Sequence, residues 1–133
     1  MLHLYDRTSA AHALTLGLDR QLHRLLTKRI AALGTPYGDV TDHTEFLVVE
    51  PFDTEADIVR HIGFSPLVEP FDGFRFGEPD FHPGGWDWLA EHGGWYEMVV
   101  TFGSTFAYIL LIQDKDGVIP ELRRLCRRYV AER

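Results

Sequence analysis

Two apolar runs, WYEMVVTF (95–102) and TFAYILLIQ (105–113), lie only two residues apart, and no other feature restricts the possible folds as much. Both are rich in β-branched and aromatic residues, the side chains that suit a pleated, half-buried surface. Gly103-Ser104 between them fits a two-residue turn with glycine at its first central position, so the pair is predicted to form an antiparallel hairpin. EFLVVE (45–50) reads as a third, buried strand bounded by acids.

The remaining elements follow from helical spacing and capping chemistry. In residues 8–33, Leu14, Leu18, Leu22, Leu25, Leu26, Ile30 and Leu33 form one apolar stripe. Thr8 or Ser9 is placed to cap this helix, and Gly34 to end it. Gly17 is unfavourable inside a helix and divides the segment if Asp19 caps a second piece. In residues 51–63, Thr54 and Asp57 fit a capping box, Ile58, Val59 and Ile62 supply an apolar face, and Gly63 stops the helix. WDWLAEH (86–92) is expected to make a two-turn helix ended by Gly93-Gly94. Residues 118–130 form the last helix, with Pro120 in its first turn. MLHLYD is a candidate edge strand. PFDGFRF is a candidate small hairpin turning at Asp72-Gly73, within a stretch (64–85) punctuated by Pro66, Pro70, Pro79 and Pro83.

The order α-β-α-(short α)-β-β-α predicts one α+β domain over residues 1–133. Its sheet is expected to be mainly antiparallel, with three to four strands, and covered on one face by the N-terminal and C-terminal helices.

Charge narrows the function classes. The net charge is −7, but residues 36–116 hold sixteen acids against three basic residues, while both ends are net basic. Nucleic-acid binding favours a basic face, so it is not expected. An acidic centre instead attracts a basic protein partner. No run of 18 apolar residues is present, which argues against a membrane span. The start of the chain lacks a signal-peptide pattern, and the single cysteine, Cys126, suits a reducing cytoplasm. No glycine-rich phosphate loop appears, and no cofactor is expected.

Aromatic residues concentrate in the acidic centre: ten of 17 fall between Phe64 and Phe102. Tryptophan and tyrosine dominate binding hot spots because they bury a large area and retain a polar handle. The reading is therefore a non-enzymatic protein-binding domain of adaptor, inhibitor or immunity type. Its acidic aromatic surface would be built from Phe74, Phe81, Trp86, Asp87, Trp88, Glu91 and Trp95. The alternative is a small metal-assisted or acid–base hydrolase using His43, Glu45, His82, Asp87 and His92, although no metal-ligand spacing matches an established pattern. Free sheet edges also allow a homodimer. His61 reads as a polar cap at a helix end, and Cys126 as a buried, inert thiol. Gly103-Ser104-Thr105 lacks the elbow of a serine nucleophile. The arginines of the last helix read as a solvated strip.

Overall fold

A computed structural model describes residues 1–32, 43–67, 88–102 and 106–131. Among these, five strands and four helices are present. They are β1 (Leu2–Leu4), α1 (Arg7–Ala13), α2 (Arg20–Ala32), β2 (His43–Val49), α3 (Glu55–Ile62), β3 (Trp88–His92), β4 (Trp95–Phe102), β5 (Phe106–Gln113) and α4 (Pro120–Ala131).

Local chemistry explains where the helices begin and end. Asp6, in extended backbone, caps α1: its Oδ1 accepts the Ser9 N–H at 2.7 Å, and Ser9 Oγ accepts the Asp6 N–H at 3.0 Å. The cap therefore lies ahead of Thr8, because the chain leaves β1 in the extended geometry that a capping residue needs. Gly17, at φ +67°, breaks the predicted long helix in two. Asp19 then caps α2, its Oδ2 accepting the N–H groups of Gln21 and Leu22 at 3.1 and 3.2 Å. The Thr54/Asp57 capping box opens α3, and left-handed Gly63 (φ +84°) closes it.

The sheet order is β1-β2-β5-β4-β3. The fold is α+β and the sheet is mainly antiparallel, as expected, but strand number, element order and helix cover differ, and one pairing is parallel. The sheet has five strands, since β1 joins as an edge and WDWLAEH supplies β3 instead of a helix. Its central pair, β2 and β5, runs parallel, with Leu47 opposite Leu110, while the other three pairings are antiparallel. The element order is accordingly β-α-α-β-α-β-β-β-α. Helices cover both faces of the sheet, not one.

The two faces separate by strand period. Phe46 and Val48 of β2, Ile109 and Leu111 of β5, and Trp95 and Val99 of β4 pack against Ala10 and Ala13 of α1 and Leu22, Leu25 and Leu26 of α2. Leu47 and Val49, Leu110 and Ile112, and Tyr96, Met98 and Val100 pack against Ile58 and Ile62 of α3 and Leu122 and Cys126 of α4. Ala107 and Ile109 to Ile112 are all fully buried, with no polar alternation. A central strand reads this way only when both of its faces are covered.

The Asp72-Gly73 hairpin, the turn at Gly103-Ser104 and the helix stop at Gly34 fall outside the described residues.

Candidate functional site

β3 and β4 form a hairpin closed by Gly93-Gly94, both at positive φ (+57° and +90°), as a two-residue type I′ turn requires. Glu91 completes it by accepting the Gly94 N–H at 2.8 Å. The register sets Trp88 opposite Val99, Ala90 opposite Glu97 and His92 opposite Trp95. Trp88, His92, Glu97 and Trp95 therefore share the face that α2 covers.

Glu97 is the unusual member, a carboxylate 1% exposed in the middle of an apolar strand. Arg29 of α2 meets it with a two-pronged contact, Nε to Oε2 at 2.5 Å and Nη2 to Oε1 at 2.7 Å. His92 Nε2 adds a third contact to Oε1 at 3.3 Å. A planar guanidinium matches a carboxylate in this way, and the paired bonds fix orientation as well as charge. The same guanidinium lies 5.3 Å from the Trp88 ring centroid, within cation–π range. With its oxygens occupied by Arg29, Glu97 is poorly placed to act as a general base. The arrangement instead holds an indole in one position at the sheet's margin.

The tryptophans have separate fates. Trp95 is 4% exposed, and its indole N–H donates to Asp19 Oδ2 at 3.1 Å, tying β4 to the α2 cap. Trp88 is 36% exposed. Phe74, Phe81, Trp86 and Asp87 lie outside the described residues.

On the other face, β1 and α3 bring a second polar group together. His3 Nε2 lies 2.6 Å from Glu45 Oε1, and His3 Nδ1 lies 3.3 Å from His61 Nδ1. The Tyr5 ring stacks on His3 with centroids 3.9 Å apart. The Tyr108 hydroxyl is held above its ordinary pKa, first by burial and then by the charge of Glu45. His61 thus turns its ring toward β1, where the sequence suggested a helix cap. Glu45 and His92, both named for the hydrolase reading, sit on opposite faces with β5 and β4 between their strands. His82, Asp87 and the side chain of His43 lie outside the described residues. Among the described residues, no set of three or more His, Cys, Asp and Glu side chains is placed to hold a metal ion.

Cys126 is buried, and desolvation pushes its thiol up to about 12. The arginine strip on α4 lines an open groove with Leu67 and Leu125. Three of its guanidinium groups face acids: Arg123 and Arg127 contact Asp114, and Arg124 contacts Glu121. No helix among the described residues is long and apolar enough to cross a membrane.

Sequence reasoning overlooked Glu97, Arg29 and His3, yet each carried a signal. Glu97 alternates with Trp95 and Val99, Arg29 follows Leu25 and Leu26 by four and three residues, and His3 stands between Leu2 and Leu4.

Comparison with protein-family models, curated proteins and solved structures gives no match.

Proposed function

We propose that this protein is a non-enzymatic binding module whose anchor is Trp88, and that its partner is a basic protein. The observation that carries this reading is the mounting of Trp88. Trp88 is 36% exposed at the start of β3, yet its indole is backed by a guanidinium that is itself locked to a buried carboxylate. An anchor already held in its bound position loses little rotamer freedom on docking, so more of its contact area counts toward affinity. Aromatic anchors of this kind dominate binding energy where they occur. The segment 69–87, immediately before Trp88, carries five acids against Arg75 alone, which would steer a basic surface toward the indole.

The test compares captures from host lysate by the wild-type chain and by Trp88→Ala. The expected outcome is a basic protein that the wild-type chain captures, that is lost with Trp88→Ala, and that is recovered less well as salt is raised. Equal recovery by wild type and variant would remove the reading. Trp88 lies at the surface, so its truncation should leave the fold intact, as circular dichroism would show.

A further inference from the structure

We infer that His3 and His61 form a binding site for a late first-row divalent metal such as Zn²⁺, with Glu45 orienting His3 from behind. The argument begins with hydrogen-bond bookkeeping. An ionised carboxylate can only accept, so Glu45 Oε1, at 2.6 Å, takes its bond from His3 Nε2–H. That fixes the neutral His3 ring as the tautomer whose lone pair sits on Nδ1, the atom turned toward His61. The two Nδ1 atoms are 3.3 Å apart. Two nitrogens bound to one tetrahedral metal at 2.0–2.1 Å stand about 3.3–3.4 Å from each other. Without an ion, His61 Nδ1–H donates to His3 Nδ1 across this gap, and moving that proton to His61 Nε2 leaves both Nδ1 atoms at the spacing of two ligands sharing an ion.

Carboxylate, imidazole and ligating nitrogen in series is the arrangement that orients metal-binding histidines and raises their basicity. His3 is held firmly: its side chain is 4% exposed, and Tyr5 stacks on its ring. His61 is exposed near the end of α3, leaving the pair open to solvent on that side. Two protein nitrogens leave the other positions to water, so a weak-to-moderate, exchangeable site follows, not a buried structural one. Such an ion would clip the edge strand β1 to α3. This inference is independent of the reading of Trp88.

The test is a Zn²⁺ titration of tag-free full-length protein, followed by the histidine ring signals in NMR and by calorimetry. The expected result is one ion per chain, with the His3 and His61 rings shifting together before the other five histidines. His61→Ala should weaken binding about tenfold or more, Glu45→Gln should do so by about tenfold, and His12→Ala should leave it unchanged. His61 lies on an exposed helix position, so His61→Ala should fold normally. Equal affinity in His61→Ala, or ring shifts that begin elsewhere, would overturn the inference.

Discussion

A carboxylate desolvated as fully as Glu97 needs donors within reach, and Arg29 supplies two of them from α2. Removing one partner of such a pair strands the other charge in a dry setting. Arg29→Ala is therefore expected to cost about 3 kcal/mol in urea unfolding, a large share of the total for a domain of this size. Replacing both residues by methionine should recover most of that loss, since the desolvation cost disappears with the charges. Spacing placed both residues on core-facing positions. What the sequence lacked was the pairing of α2 with the β4 face, and without that the acid looked like one more surface charge. The tryptophans show the same limit. Burial of Trp95 follows from β4 being a central strand, whereas the exposure of Trp88 depends on β3 lying beside it.

The β3–β4 hairpin is the element most at odds with its local signals. Leu89, Ala90 and Glu91 are good helix formers, and Asp87 with Glu91 has the spacing of a helical pair. Yet residues 88–92 pair in register with β4 all the way to the turn, and this ladder outweighs propensity. The deciding clue was Gly93-Gly94, which serves a helix stop and a type I′ turn equally well when read alone. A Cβ on Gly94 would meet nothing within 4 Å, so Gly94→Ala isolates the backbone cost of φ +90°. A loss of about 1 kcal/mol is expected, seen as a lower melting temperature. Where capping chemistry was explicit, as at Thr54, Asp57 and Gly63, the sequence-based boundaries of α3 match the structure.

Across the whole molecule, the α+β class was legible because the helical and strand periods are distinct. The burial of both sheet faces was written in the unbroken apolar run of β5, a pattern that a sheet covered on one side does not need. The face under α3 and α4 ends in a polar tie that joins three elements. Asp114 accepts hydrogen bonds from Tyr96 of β4 and from Arg123 and Arg127 of α4. The Arg127 bond, ahead of those from Tyr96 and Arg123, holds the Asp114 carboxyl below its ordinary pKa of 3.8. A carboxylate depressed on folding stabilises the protein above its unfolded pKa, and that stabilisation fades as pH falls through the folded value. Asp114→Asn should therefore cost about 1 kcal/mol at pH 7, a modest figure because solvent reaches the cluster. The gap between wild type and variant in thermal melts should narrow below about pH 4. A different consequence follows from the parallel pair at the centre. His43 meets Phe106 across more than sixty residues of chain, whereas β3, β4 and β5 pair with their neighbours in sequence. The three-stranded meander can assemble early from local contacts, but the ladder that unites the two halves must wait for the longest loop to close. During that wait the meander exposes the apolar edge of β5, and for this chain the hazard of aggregation lies in the interval before β2 arrives.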